Sequence, residues 1–214
     1  MGSPPVSSPR EPLTRARIVD AAVRLIECEG VEAVSMRRLA AELGAGTMSL
    51  YNHVPNKAVL VDLAAERIMA EAQPYHVDSD DWRDHIRAHA RAVRAMARRH
   101  PRAFVMLATR RLSGEAGFRT IEAALLNFDR AGFRGKIAVG MMRAMVSYLL
   151  GTLMREVATS PELGGIALSP YGDVDVTAFP LSAGVIDELG TYDHDHEFEF
   201  GLELMIAALE RYQG

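Results

Sequence analysis

The segment 35–57, SMRRLAAELGAGTMSLYNHVPNK, constrains the fold of this chain more than any other. Apolar residues at helical spacing predict a short helix that begins after Ser35 and ends before Gly44. Gly44 can take the left-handed conformation that ends a helix, and Gly46 is expected to keep the turn free of side chains. A second short helix is predicted over residues 47–53. Two short helices joined by so tight a turn predict a helix-turn-helix.

The second helix carries too many polar side chains for a buried helix. We expect Met48, Leu50 and Val54 to anchor it. The side chains left for a partner are then Thr47, Ser49, Tyr51, Asn52 and His53. Only a helix or a two-stranded ribbon fits the major groove of B-DNA, so a protein that reads bases there presents such an element on its surface. The pattern therefore predicts DNA binding, with residues 47–53 as the reading helix.

The formal net charge of −4 argues by itself against a nucleic-acid binder. The distribution of charge favours one, because residues 35–57 contain Arg37, Arg38 and Lys57 against Glu42 alone. Lys57 falls in the first turn of the next predicted helix, where a cation is unfavourable unless a phosphate lies nearby. The segment is thus suited to a few phosphate contacts.

Two long blocks of opposite charge follow. Residues 82–155 contain 15 Lys and Arg against 4 Asp and Glu, whereas residues 156–210 contain 12 acids and neither Lys nor Arg. The blocks either attract each other, within or between subunits, or are solvated helix faces of unequal composition. Within the basic block one helix face carries a stripe of arginines, which is either solvated or a site for an anionic ligand or a second DNA contact: Arg83, Arg87, Arg91, Arg94 and Arg98.

Helical periodicity continues to the end of the chain, and nothing alternates long enough for a strand, so we predict an all-α fold. Residues 135–159 are apolar nearly all round, and a last helix over 196–213 has one apolar stripe. Both are predicted to lie in a subunit interface, the alternative being an ordinary core within the chain. Arg143 argues against a membrane span. The expected central interface contacts are Met145, Leu149, Leu202 and Met205.

Residues 13 to about 70 resemble, without a gap, the N-terminal domain of the tetracycline-repressor (TetR) family of bacterial transcriptional regulators. The most specific cluster is Gly44, Leu50, Tyr51, His53, Val54, Asn56 and Lys57. A weaker likeness to the tetracycline repressors themselves continues through Trp82, Ala108-Thr109-Arg110 and the ending FEFGLELMIAALE.

The resemblance implies a fold and a function. After a tail at 1–12, predicted to be mobile, a three-helix head would cover 13–56, a connecting helix 57–73, and an all-helical ligand-binding and dimerisation domain 74–214. Such proteins bind a palindromic operator as homodimers, most often as repressors, and a small molecule releases the DNA.

The resemblance also implies individual roles in the head. Ser35 and Arg37 match positions that contact phosphate and base, and an arginine can bind O6 and N7 of guanine. Base contacts are implied for Thr47, Met48 and Ser49, and phosphate contacts for Tyr51, His53 and Lys57. Thr47 and Asn52, which is also expected to face DNA, differ from the tetracycline repressors, so the same operator is not expected.

Five residues match positions that line the ligand pocket of the tetracycline repressors: His89, Val93, Met106, Thr109 and Arg110. Met106 stands where those proteins use a histidine to hold the magnesium of the drug, and Arg155 lies near another of their metal-associated acids. We therefore expect no tetracycline–magnesium complex and no cofactor. The expected effector is mostly apolar, with one polar or anionic group met by Arg110.

The rival hypothesis is an all-helical carrier or enzyme without DNA binding. His85 and His89, one turn apart, and the run Asp193-His194-Asp195-His196 could each suggest a metal. No cysteine and no HExxH acid accompanies the first pair, and the second lies before a helix, where an aspartate commonly caps. No GxSxG or phosphate-loop motif appears. The single cysteine, Cys28, forbids an internal disulfide and suits a cytoplasmic protein, and no secretory signal or membrane contact is expected.

Overall fold

The computed structural model describes residues 12–72, 77–109, 114–163, 175 and 178–213. The described residues form eleven α-helices and no strand, which confirms the all-α prediction. The α-helices are α1 Arg15–Glu29, α2 Met36–Leu43, α3 Thr47–Tyr51, α4 Lys57–Met69, α5 Trp82–Arg99, α6 Pro101–Thr109, α7 Gly114–Arg130, α8 Gly135–Ala158, α9 Pro180–Ala183, α10 Ile186–Gly190 and α11 His194–Gln213. Short 3-10 helices cover Val31–Ala33, Ala70–Ala72 and Pro161–Leu163.

The chain divides into two compact units between Arg67 and Ile68. The sequence placed the end of the head at residue 56 and a connecting helix over 57–73. Helix α4 runs continuously across the observed division and is followed by the 3-10 turn Ala70–Ala72. Most of the predicted tail, at 1–11, lies outside the described residues.

The first unit packs α1 to α4 around a small apolar core. Thr14 begins α1, its hydroxyl accepting a hydrogen bond from the Arg17 amide at 3.2 Å. The inward residues recur at helical spacing and are fully buried: Ile18, Ala22 and Ile26 on α1, Leu39 on α2, Leu50 on α3, Leu60 and Ala64 on α4. Each large apolar side chain so buried contributes roughly 1.5–3 kcal/mol. This core fixes the turn between α2 and α3.

The second unit is organised around α5, which packs against α6, α7, α8 and α11. Asp81 caps its start by accepting a hydrogen bond from the Arg83 amide at 2.9 Å. One face of α5 is buried through Ile86, Ala90 and Ala97, whereas the arginine stripe occupies another. The helix therefore has an apolar face toward the core and a cationic face toward α11.

The cationic face of α5 is paired with acids, mostly from α11. Arg87 makes two hydrogen bonds to Glu203, at 2.7 and 2.8 Å, and Arg91 makes two to Glu199, at 2.9 and 2.7 Å. Arg83 pairs with Glu210 at one end of this series. We call these contacts, with those of Arg94 and Arg98 to Asp195, the α5–α11 ladder. The stripe is thus neither simply solvated nor open to an anion, and the opposite charge blocks attract each other within the chain.

Arg94 of α5 is buried and contacts acidic residues of α8 and α11. Its guanidinium makes two hydrogen bonds to Glu156 of α8, at 2.8 and 2.9 Å, and approaches Asp195 at 2.7 Å. The guanidinium carbon also lies 4.7 Å from the centre of the Phe198 ring. Burial alone would lower the pKa of Arg94, but the bonds to Glu156 and Asp195 outweigh it and the pKa is raised. Arg94 therefore stays charged in the interior.

Helices α8 and α11 approach each other closely at a glycine. The Tyr148 hydroxyl donates a 2.6 Å hydrogen bond to the Phe198 carbonyl. A Cβ placed on Gly201 would lie 2.6 Å from the Tyr148 ring, so no larger residue fits without moving that ring. Gly201 is thus part of the packing between α8 and α11.

Helix boundaries also differ from the prediction at α3 and α11. Helix α3 ends at Tyr51 instead of residue 53. Helix α11 begins at His194 instead of 196, because Asp193 accepts the His196 amide and caps the helix two residues earlier. The short helices α9 and α10 are separated at Gly184. Most of residues 160–180 lie outside the described residues.

Candidate nucleic-acid interface and effector cavity

Both ends of α2 are set by local structure, and this fixes where the turn to α3 begins. Ser35 begins α2, and its hydroxyl accepts the Arg38 amide at 3.2 Å. Gly44 ends it with φ of 62°, the left-handed conformation that the sequence predicted. Gly46 has φ of −74°, and a Cβ there would meet Ser49 Oγ at an ordinary 3.7 Å. A side chain would therefore fit at Gly46, and of the two glycines only Gly44 has a backbone conformation that favours glycine.

Helix α3 is held by two residues and exposes most of the others. Leu50 and Val54 are fully buried, whereas Met48 is 75% exposed, so Met48 is not the anchor that its apolar character suggested. Thr47 is half-buried. The remaining predicted contact residues are exposed: Ser49, Tyr51, Asn52 and His53. Asn52 and His53 follow the end of the helix and lie in the turn before α4.

The cations near α3 differ in whether they are already paired. Arg38 is engaged by Glu29. Arg37 and Lys57 are exposed and form no ion pair within the described part of the chain. Asn56 caps α4 by accepting the Val59 amide at 2.9 Å, which sets Lys57 in the first turn of that helix. The two unpaired cations and the exposed face of α3 make a surface suited to a negatively charged partner.

The structure does not gather the five predicted ligand residues into one cavity. Met106 is buried in α6, and the exposed Thr109 uses its hydroxyl to bond the carbonyls of Val105 at 3.0 Å and Met106 at 3.2 Å. Val93 is half-buried on α5, and Arg110 lies outside the described residues. Of the four predicted residues that the structure describes, His89 lines a small cavity whose lining excludes the other three.

That cavity, of about 30 Å³, lies between α5, α7 and α8. Its other polar side chain is Asn127 of α7, which is almost fully buried and which the sequence analysis missed. The available signal was an amide within the otherwise apolar run AALLNF. Burial lowers the pKa of His89, so this imidazole is neutral at pH 7. The cavity is much smaller than the 300–1,000 Å³ typical of a ligand pocket, so a ligand would have to enlarge it.

A larger cavity, of about 440 Å³, is an open apolar groove between α8 and α11. Met205 is half-exposed there. The other predicted interface centres, Met145, Leu149 and Leu202, are buried in the single chain, although Met145 also lines this groove. The choice of Leu149 and Leu202 is corrected, because the apolar residues of these helices serve two surfaces and the sequence does not tell which residue faces which. The apolar residues left exposed on the two helices include Ile137, Val146, Phe200, Leu204 and Tyr212.

Helix α8 has 24 residues and contains an 18-residue window with a mean hydropathy of 1.5, so by length and composition it could cross a membrane. It is the one such helix in the part of the chain that the structure describes. Only 22% of its apolar window is buried within the chain. Arg143 is exposed in the middle of the helix. The chain's own core therefore does not account for the apolar surface of α8.

The two metal hypotheses find no support in the geometry. His85 uses one ring nitrogen on the Ser79 carbonyl, at 2.8 Å, and the other faces the Arg130 guanidinium at 3.2 Å. Asp193 caps α11 and Asp195 pairs with Arg94. No group of three or more His, Cys, Asp or Glu side chains able to hold a metal occurs among the described residues.

Comparison with known proteins matches both units to one family. Residues 18–64 match the family described as "Bacterial regulatory proteins, tetR family", and residues 74–212 match "Tetracyclin repressor-like, C-terminal domain". The chain belongs to the TetR family. It is a ligand-responsive DNA-binding transcriptional repressor.

Individual relatives agree with the family assignment. The chain is 30% identical to the HTH-type transcriptional repressor DrrR1 of Streptomyces coeruleorubidus over 98% of this chain and 82% of that protein. It is 28% identical to the class D tetracycline repressor of Escherichia coli over 92% of this chain and 89% of that one. The structure of the TetR family protein ActR from Streptomyces coelicolor with actinorhodin superposes with a TM-score of 0.81 at 28% identity, covering 95% of this chain and all of that one.

Proposed function

We propose that this TetR-family protein binds a palindromic operator as a homodimer, with α3 of each subunit in the major groove. The observation that carries the proposal is the contrast between Leu50, fully buried, and its neighbour Met48, 75% exposed on the same five-residue helix. Leu50 thus holds the helix on the core, while the exposed side chain of Met48 can contact a partner laid against α3. A thymine methyl group offers such an apolar contact in the major groove.

Arg37 and Lys57 supply the charged contacts in this proposal. Neither has an ion-pair partner within the described residues, so neither must break a bond in order to reach DNA. Arg37, one residue into α2, is assigned to a base or to a phosphate beside it, and Lys57 to a phosphate. Ser35 uses its hydroxyl to cap α2, so a phosphate contact by the same oxygen would have to be shared with that cap.

The second copy is assigned to the groove between α8 and α11. Exposed small residues on α8, Gly140, Ala144 and Gly151, recur at intervals of four and seven and let another helix approach closely. Ile137 and Tyr212 line the groove, Leu204 lies one turn of α11 before Ala208 of the same lining, and all three are exposed in the single chain. Association would cover this apolar surface of α8, which the chain's own core leaves open.

The effector is proposed to bind in the C-terminal unit, as ligands do in relatives. ActR has been crystallised with actinorhodin, and a TetR variant from Acinetobacter baumannii AYE, with a TM-score of 0.66 and 26% identity, with minocycline. We infer that this chain responds to a small organic molecule without magnesium, because Met106 cannot ligate as the expected histidine would. The protein is proposed to act by binding and not by catalysis, and to work in the cytoplasm, where DNA is accessible.

Selection of duplexes from a random pool by the full-length protein tests the DNA-binding proposal. We expect an enriched palindrome whose half-sites lie about 34–36 Å apart or at a multiple of that distance, and an affinity that falls steeply with salt. A carrier or an enzyme without DNA binding would enrich nothing. Enrichment of a single asymmetric site would contradict the homodimer.

The interface has its own test in Leu204→Glu. Leu204 is 57% exposed in the single chain, so the new carboxylate is solvated in a monomer and loses its hydration in the proposed dimer. We expect monomers by sedimentation and no operator binding, with the fold intact. Leu126→Glu is the matched control, since Leu126 is an exposed leucine of α7 outside the groove. A dimeric Leu204→Glu protein on its operator would place the interface elsewhere.

A further inference from the structure

The cavity between α5, α7 and α8 combines an apolar wall with two polar side chains. His89 and Asn127 face it from different helices, and most of the remaining lining is hydrocarbon or thioether, including Ile86, Phe128, Met142 and Leu149. Ligand sites typically have this composition, in which a few polar groups orient a mainly apolar molecule. The cavity also reaches the rim of the fold, where Val146 is exposed.

Both polar side chains have unused hydrogen-bonding capacity. Asn127 Nδ2 donates to the Ala123 carbonyl at 3.4 Å, and no described residue contacts its carboxamide oxygen. The His89 ring makes no hydrogen bond within the described part of the chain. The unpaired atoms of these two side chains keep some solvent accessibility, so an occupant of the cavity can reach them. An occupant that offers both a donor and an acceptor would satisfy them.

The electrostatic character of the cavity favours an uncharged occupant. The imidazole of His89 is neutral because burial lowers its pKa, and a neutral imidazole offers one donor and one acceptor. Asn127 is neutral at every pH, and no Lys, Arg, Asp or Glu among the described residues lines the cavity. An ion placed here would lose its hydration without gaining a counter-ion.

We propose that His89 and Asn127 form the recognition pair for an uncharged, mainly apolar effector with a hydrogen-bond donor and acceptor close together, as in an amide. The inference rests on the proposed ligand response and names its chemical class. It replaces the expected anionic group with a neutral one and adds Asn127 as a specificity-determining residue. Met142 and Met145, both in the lining, are unbranched and flexible and can move aside to enlarge the cavity.

Three probes of nearly equal size test the inference on the full-length protein: benzamide, benzoate and benzene. Binding is followed by NMR of the methionine methyl groups, with Met142 and Met145 assigned from single Met→Leu variants. We expect benzamide to shift both signals at lower concentration than benzene, and benzoate to leave them unchanged. Asn127→Leu should weaken benzamide binding about 3- to 10-fold and leave benzene binding little changed.

His89→Phe provides a second variant with the same expectation, should Asn127→Leu prove unstable. Met96→Leu is the matched control, because Met96 is buried in α5 outside this cavity and the substitution conserves volume. Equal shifts with benzoate, or benzamide affinities unchanged in both variants, would overturn the assignment. A cavity that no probe enters would overturn it as well, since it then holds only water.

The proposed function is tested by operator selection, and the recognition pair is tested by the methyl shifts, so either can fail without the other. Operator selection uses no probe, and the methyl shifts need no DNA. A protein that selects a palindrome but binds benzoate as well as benzamide keeps its function and loses this inference. A protein that binds benzamide through Asn127 but selects no duplex keeps the site and loses the proposed repressor function.

Discussion

Arg91 and Glu199 face each other across α5 and α11 through two parallel hydrogen bonds, from Nε to Oε1 at 2.9 Å and from Nη2 to Oε2 at 2.7 Å. Their sequence separation is 108 residues. The same two-bond geometry recurs one turn away between Arg87 and Glu203. These hydrogen bonds join α5 to α11. Helix α5 carries His89 on its other side, and α11 is proposed to form part of the subunit interface.

Because the pairs differ in burial, the Arg94–Glu156 pair should contribute more to the free energy of unfolding than the Arg91–Glu199 pair. Arg94 and Glu156 are each 10% exposed, whereas Arg91 and Glu199 are 54% and 40% exposed. Arg94→Met leaves the Glu156 carboxylate buried, with only Arg98 at 3.5 Å, and should lower the free energy of unfolding by about 3 kcal/mol. Arg91→Met, the matched control, should cost about 0.5 kcal/mol. Urea unfolding measures both, and equal destabilisation would contradict the difference in burial.

The ladder should also make stability depend on pH in the acid range. The bond from Arg91 lowers the pKa of Glu199 more than burial raises it, and Arg87 does the same for Glu203. A glutamate whose pKa is lowered by folding stabilises the protein above its unfolded pKa of about 4.3, and this contribution disappears as the pH falls through the folded value. We therefore expect stability to fall below about pH 5.

Glutamine variants isolate that contribution. Glu199→Gln and Glu203→Gln should each destabilise the protein at pH 7 and differ less from the wild type at pH 4, where the wild-type carboxylates begin to be protonated. Glu122→Gln, an exposed acid of α7, serves as the control and should be neutral at both values. The urea concentration at the midpoint of unfolding, measured for each variant at pH 7 and pH 4, gives the difference in stability. A constant difference between Glu203→Gln and the wild type would exclude the ladder as the cause.

The sequence predicts some of these features because they are local. The start of α2 at Ser35 and its end at Gly44 depend on neighbouring residues and were predicted correctly. Which leucine of α11 is exposed could not be predicted, because Leu202 and Leu204 are equally apolar and only the packed structure shows that the first is buried and the second exposed. Asn127 was missed for the same reason, since its role depends on helices distant in sequence.

The two glycines of the turn should respond differently to the same substitution. Gly44→Ala places a Cβ on a residue with φ of 62°, which costs about 1–2 kcal/mol. Gly46→Ala is expected to stay within about 0.5 kcal/mol of the wild type, because φ is −74° and the nearest atom to its Cβ is 3.7 Å away. Thermal unfolding of the two variants measures the contrast, and a large destabilisation in Gly46→Ala would show that the turn tolerates no side chain there.

Arg37 and Lys57 should affect DNA binding in different ways. If Arg37 reads a base, Arg37→Ala weakens the selected operator by roughly 1–3 kcal/mol and relaxes preference at one base of each half-site. If Lys57 binds phosphate, Lys57→Ala weakens all sequences alike and reduces the salt dependence by about one unit for each phosphate that the lysine neutralises. Arg24→Ala is the control, because Arg24 is paired with Glu42 at 3.2 Å. Binding to operator and to random duplex over a salt series distinguishes the roles. An equal weakening on both duplexes for Arg37→Ala would reduce Arg37 to a phosphate ligand, and α3 alone would then have to supply the base readout.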